Sequence, residues 1–139
     1  MEKIKRVRSV IIRDKKVLAI KRTKPEAIYW VIPGGGTKES ETNEQALMRE
    51  VREELGVDIK IKDLLLEMPS RKLETIGQKE YFYYCEILSG VLGSGQGPEF
   101  KRDSQYVGKY DIEWLDIANL NNFDLRPEEI KNLIYNRYK

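Results

Sequence analysis

The stretch Gly35–Val57, GGTKESETNEQALMREVREELGV, constrains this chain more than any other. Read as a helix from Asn43 to Leu55, at ~100° per residue, it gathers Glu50, Glu53 and Glu54 into an arc of about 100°. Leu47, Met48, Val51 and Leu55 form a neighbouring apolar stripe, and Arg49 and Arg52 flank the other side. A merely solvated face would gain from alternating Lys with Glu, because like charges at i,i+4 each cost a few tenths of a kcal/mol. Three clustered carboxylates beside a core-facing stripe suit a hard divalent cation instead.

The flanks support that reading. Pro33 is followed by Gly34, Gly35 and Gly36, which allow a sharp turn and close approach to a ligand. Thr42 with Gln45 reads as a capping box, and Gly56 as the helix stop. A glycine-rich loop thus feeds a helix N-terminus suited to phosphate oxygens, and a cation held by the carboxylates would bridge to them.

Gly35, Glu41, Arg49-Glu50-Val51, Glu53-Glu54 and Gly56-Val57 stand in the spacing G-x5-E-x7-R-E-U-x-E-E-x-G-U, with U a bulky aliphatic. That pattern resembles the Nudix box of the MutT-type Nudix hydrolases, and the lead-in Trp30-Val31-Ile32-Pro33-Gly34-Gly35 is similar to the family's own. Chance agreement at this composition is on the order of 10⁻⁸ per starting position. The resemblance implies an α/β/α sandwich with a mixed β-sheet, and hydrolysis of a nucleoside diphosphate linked to another moiety. It implies Mg²⁺ or Mn²⁺ as cofactor, held by Glu53 and Glu54, with Glu50 a ligand or the general base. Gly35 would contribute a carbonyl or close approach, Glu41 would support the loop or the metals, and Arg49 would hold a glutamate by an ion pair. Gly34, Gly35 and Gly36 would face the substrate. The family often has a glutamate and a glycine where Lys38 and Ser40 stand here. Members also draw a further carboxylate from a later loop; the candidates are Glu99, Asp103 and Asp111, with Glu99 preferred.

The remaining chain fits one domain spanning 1–139, with 40% hydrophobic residues and enough length to bury a core. Charge is high at 35% but nearly balanced at net +2, which gives no global attraction to polyanions. A single cysteine, Cys85, precludes an intramolecular disulfide, and no stretch reads as a membrane span or signal peptide; a cytoplasmic protein is expected. Histidine is absent, so acid–base chemistry falls to carboxylates, Lys, Tyr or Cys85.

Residues 4–12 and 17–22 read as strands joined at Asp14-Lys15-Lys16. Ten of the first 24 residues are Lys or Arg, against Glu2 and Asp14. They read as the wet face of edge strands, or as a phosphate- or RNA-binding face. Arg22, at a strand end near the glycines, is singled out for substrate phosphate. Tyr29–Ile32, 58–68, Tyr81–Leu88 and 111–117 also read as strands, with the aromatics and Cys85 packing in the core. Ser89–Pro98 reads as a long hairpin loop. Arg126-Pro127-Glu128-Glu129 opens a terminal helix that buries Ile130, Leu133 and Ile134. The expected partner is a small nucleotide: a nucleoside triphosphate, ADP-ribose, a nucleotide sugar or a dinucleoside polyphosphate. RNA 5′-end processing and a non-catalytic nucleotide sensor are the alternatives, and a homodimer is left open.

Overall fold

A computed structural model describes residues 5–70, 76–94 and 109–139. The chain runs β1 (Arg6–Arg13), β2 (Lys16–Lys24), β3 (Ala27–Val31), β4 (Gly34–Gly36) and α1 (Asn43–Leu55). It continues through β5 (Val57–Pro69), β6 (Lys79–Gly90), β7 (Lys109–Asp116), a 3₁₀ helix (Ile117–Asn122), β8 (Leu125–Arg126) and α2 (Glu128–Tyr138).

β1 and β2 meet in a tight hairpin, with Asp14 and Lys15 both left-handed at φ 52° and 59°. That is the turn whose twist matches antiparallel strands. The two strands pair only at Ile12↔Val17 and Arg13↔Lys16, and then part. Beyond that point β1 is held by β6, in parallel, and by β4. β2 is held by β3 and by β7, both antiparallel, and β8 adds to β3 in parallel. The mixed sheet therefore forks into two halves, and a cleft opens in the fork.

The halves bury two cores. Val7, Ile11 and Leu18 pack beneath Leu47, Val51 and Leu55 of α1 on one face. Val10, Val17 and Phe82 pack beneath Leu120, Ile130 and Ile134 of the 3₁₀ helix and α2 on the other. This is the α/β/α sandwich with a mixed sheet that the sequence leads one to expect.

α1 begins and ends where its capping signals place it. Gln45 N donates to Thr42 Oγ1 (3.1 Å) and Thr42 N to Gln45 Oε1 (3.0 Å), while Gly56 at φ 80° closes the helix onto Val51 and Arg52 carbonyls. Met48 departs from expectation: at the far edge of the apolar stripe, it is exposed, and Ala46 takes the buried place beside Leu47.

Three boundaries also move. β6 extends through Ser89 and Gly90, which pair with Asp58 and Val57, so the expected loop starts at Val91; its residues 95–98 lie outside the described region. Pro127 is the N-cap of α2 rather than its first helical residue. Ile130 and Ile134 are fully buried, while Leu133 packs half-buried against them.

Candidate active site

The cleft in the fork has a volume of about 890 Å³, within the range of small-molecule sites. One wall is the glycine turn with α1: Gly34, Gly35, Gly36, Glu50 and Glu54. Arg6 and Arg8 of β1 with Glu80 and Phe82 of β6 floor it, and Arg22, Lys24, Tyr29, Tyr110 and Arg126 form the opposite wall.

The glycine turn is built by contact. Gly34 has φ +154°, and a Cβ there would overlap the Val7 carbonyl of the neighbouring strand. A Cβ on Gly35 would overlap the Glu50 carboxylate. Only a bare backbone lets the helix carry Glu50 this close to β4. Glu54 Oε1 accepts from Gly34 N at 2.9 Å, so a second carboxylate is fixed to the same turn.

Arg49 organises the rest. Its Nε and Nη2 grip Glu41 in a two-pronged pair at 2.7 and 2.9 Å, and Nη2 also donates to the Gly36 carbonyl at 3.0 Å. Nη1 reaches Glu50 Oε1 at 3.0 Å and Glu53 Oε2 at 3.4 Å. The planar five-donor fork of arginine makes this possible, and lysine could not replace it. The Arg49 guanidinium, with help from the Lys38 N–H, holds the Glu41 carboxyl down to about 2. Glu41 and then Glu50 raise the pKa of Arg49 against the pull of burial.

Ser40, where the resemblance leads one to expect glycine, adopts φ 69°, in the left-handed region that glycine enters freely. The loop therefore takes its shape without the glycine. Lys38 contributes its backbone N–H to Glu41 Oε1 at 2.7 Å.

Of the expected ligands, Glu50 and Glu54 line the cleft, whereas Glu53 is not among its lining residues and leaves 42% of its side chain exposed. Arg49 Nη1 joins Glu50 to Glu53, and the Gly34 N–H holds Glu54 to the glycine turn. Among the described residues, no three acid, thiol or imidazole groups gather about one point. The donor set is nevertheless all oxygen, as a hard divalent cation requires. Asp111 does not join it. It is exposed, and the strand's alternation turns it to the face opposite Tyr110, which lines the cleft. Glu99 and Asp103 lie outside the described residues.

Arg22 lines the cleft, stacked 4.0 Å from the Tyr110 ring centroid. The edge-strand reading of the basic N-terminus needs correction. β1 is an interior strand, so Arg8 is buried, bonding Glu80 Oε1 from Nε and Nη2 (3.4 and 3.3 Å) and the Ile32 carbonyl from Nη1 (3.2 Å). Arg6 lies on the same face, and burial, then the charge of Arg8, lowers its pKa. The Arg-Val-Arg alternation ahead of an apolar strand was the available signal for both. Nothing local marked Tyr29, Tyr110 and Arg126 as cleft residues, since they meet only through strand pairing.

Comparison with known proteins agrees with this layout. The NUDIX domain matches residues 3–135. Over 100 residues the chain is 33% identical to the nucleoside triphosphatase NudI of Enterobacter sp. (strain 638), a match covering 69% of this chain and 67% of that protein. It is 29% identical over 126 residues to an ADP-ribose pyrophosphatase of Methanocaldococcus jannaschii, covering 89% and 68%. A match to a Caenorhabditis elegans protein named for the nudix hydrolases spans 30% of that protein's length. The solved MutT from Aliivibrio salmonicida and Vibrio cholerae shares the fold, with a TM-score of 0.68 at 19% identity, covering 99% of this chain and 100% of that one. No described helix is long and apolar enough to cross a membrane. A glycine turn pressed onto a glutamate helix, within a domain matched from residue 3 to residue 135, places this chain in the NUDIX family as a Nudix hydrolase.

Proposed function

We propose that the protein is a Mg²⁺- or Mn²⁺-dependent pyrophosphohydrolase that cleaves a small nucleotide, a nucleoside diphosphate linked to another moiety, by attack of water at phosphorus. The observation that carries this reading is the fixing of two carboxylates, Glu50 and Glu54, against the bare backbone of Gly34 and Gly35 in one wall of a nucleotide-sized cleft. Glu50, Glu53 and Glu54, with the Gly35 carbonyl, are the groups that would hold the cation. The chemistry such a divalent ion would supply there is polarisation of phosphate oxygens and a lowered pKa of water.

The chain's own residues do the positioning on which phosphoryl transfer depends. Arg49 occupies Glu50 Oε1, leaving Oε2 to take a proton or a cation. Glu41 keeps Arg49 aimed, and so acts on Glu50 and Glu53 through it. Arg6, on the cleft floor, and Arg22, on the far wall, supply positive charge to substrate oxyanions.

The test is a hydrolysis panel with Mg²⁺ or Mn²⁺. It comprises nucleoside triphosphates, ADP-ribose, nucleotide sugars, dinucleoside polyphosphates and 5′-triphosphate RNA, with products identified by mass. Metal-dependent release of a nucleotide from one small-nucleotide class supports the reading. A preference for RNA, or binding without turnover across the panel, contradicts it.

A further inference from the structure

The wall of the cleft opposite Glu50 and Glu54 carries more positive charge than the described residues neutralise. Three cations surround the Tyr29 ring: Arg126 at 4.1 Å, Lys24 at 5.6 Å and Arg22 at 5.9 Å from its centroid. Arg22 also lies 4.0 Å from the Tyr110 centroid, close enough to stack on that ring. Tyr29 is buried to 8% exposure and flanked by these cations, which argues against a base stacking directly on its face.

The three cations differ in their partners. Arg126 is matched by Asp124, with Nε and Nη2 on its two oxygens at 3.2 and 2.9 Å, and so has a structural role. Arg22 and Lys24 have no ion-pair partner among the described residues. Glu128 lines the same cleft without pairing to either. The Nε of Arg22 is buried and has no acceptor among the described residues. Leaving a charged donor unmade costs on the order of 1–3 kcal/mol, which a ligand oxygen would recover. Nε and its neighbouring Nη form the edge that takes an oxyanion with two parallel hydrogen bonds.

Position separates this site from the glycine turn. In the β2–β3 ladder the pairs Ile20↔Val31 and Arg22↔Tyr29 both line the cleft and stand two rungs, or about 6.6 Å, apart. A pyrophosphate held at Gly35 and the helix glutamates has Arg6 at hand, opposite Gly36 in the β1–β4 ladder, which leaves Arg22 and Lys24 for a second oxyanion.

We propose that Arg22 and Lys24, backed by Tyr29 and Tyr110, form a second oxyanion site, so that the preferred substrate is a nucleotide bearing a phosphate monoester remote from the anhydride that is cut. This rests on the pyrophosphohydrolase reading and narrows its substrate class. Arg22 makes the two-pronged contact, and Lys24 adds a mobile point charge.

The test is calorimetric titration with four nucleotides: AMP, ADP, adenosine 2′,5′-bisphosphate and adenosine 3′,5′-bisphosphate. ADP adds its second phosphate in line, which separates remote charge from total charge. The expected result is that one of the two remote bisphosphates binds at least ~10-fold tighter than both AMP and ADP, the scale of one good charge-assisted contact. In Arg22→Gln the ratio of bisphosphate to AMP affinity falls to near one, and in Arg22→Lys and Lys24→Gln it falls partway. Equal binding of the remote bisphosphates and ADP, no binding of any of the four, or a ratio that survives Arg22→Gln overturns the site. So does an equal loss for AMP and bisphosphate, which would put Arg22 on the common phosphate. The wild-type protein's hydrolysis panel separates the failures: metal-dependent turnover with no bisphosphate preference sinks this site alone, and absence of turnover sinks the reading beneath it.

Discussion

Replacing Glu41 by Gln removes a charge while leaving an oxygen for Arg49 to donate to, so its effect isolates electrostatics. The folded carboxyl titrates at about 2 against an ordinary 4.5, because Arg49 grips both of its oxygens. That difference of ~2.5 units corresponds to at most ~3.4 kcal/mol at 1.36 kcal/mol per unit. Both side chains are about a fifth exposed, and solvent screening reduces the figure to ~1–2 kcal/mol. A depressed carboxyl pKa stabilises the fold above its unfolded value and is lost as pH falls toward the folded one. Between pH 7 and pH 3 about 60% of the contribution disappears. Urea unfolding of the two proteins therefore has a definite pattern. At pH 7 the Glu41→Gln midpoint lies lower by roughly 0.5–1 M, and at pH 3 that gap shrinks to less than half. An equal gap at both pH values, or no gap at pH 7, would refute the assignment of Glu41 as the anchor of Arg49.

Other expectations follow from the same geometry. Gly35→Ala drives a methyl into the Glu50 carboxylate; turnover should fall by more than ~10-fold, read as kcat at saturating substrate with folding checked by circular dichroism. Glu80→Gln leaves the buried Arg8 guanidinium short of its counter-charge and should cost ~3–5 kcal/mol in a urea titration, whereas an Arg8→Met, Glu80→Leu double change should recover much of that loss. EDTA should abolish hydrolysis and added Mg²⁺ or Mn²⁺ should restore it; turnover that persists after chelation excludes the metal-assisted route.

What the sequence made legible lies within short reach along the chain. Thr42, Gln45 and Gly56 set the ends of α1 through bonds within a few residues, and the Arg49–Glu41 clamp spans only eight positions. Such signals survive in a linear reading because the helix fixes their geometry. Met48 misled because the stripe's edge residue can turn either way, and packing against β1 and β5 settles it. The Arg8–Glu80 pair joins residues 72 apart, and only the parallel registration of β1 on β6 brings them together. The wall around Tyr29 depends likewise on β2, β3, β7 and β8 being laid side by side. No periodicity in any one segment encodes that. Reading the basic N-terminal strand as a wet edge failed for the same reason: whether a strand is edge or interior is decided by partners far along the chain.

The most direct test of the central claim, that the glycine turn and its glutamate helix are the hydrolytic centre, is Mg²⁺-supported turnover of the best panel substrate by Glu54→Gln beside the wild type. The substitution takes a carboxylate charge from the cleft while an amide oxygen can still accept from Gly34 N. The account predicts a fall in kcat of at least ~10²-fold with an unaltered circular dichroism spectrum and melting curve. Full activity in the folded variant would contradict it.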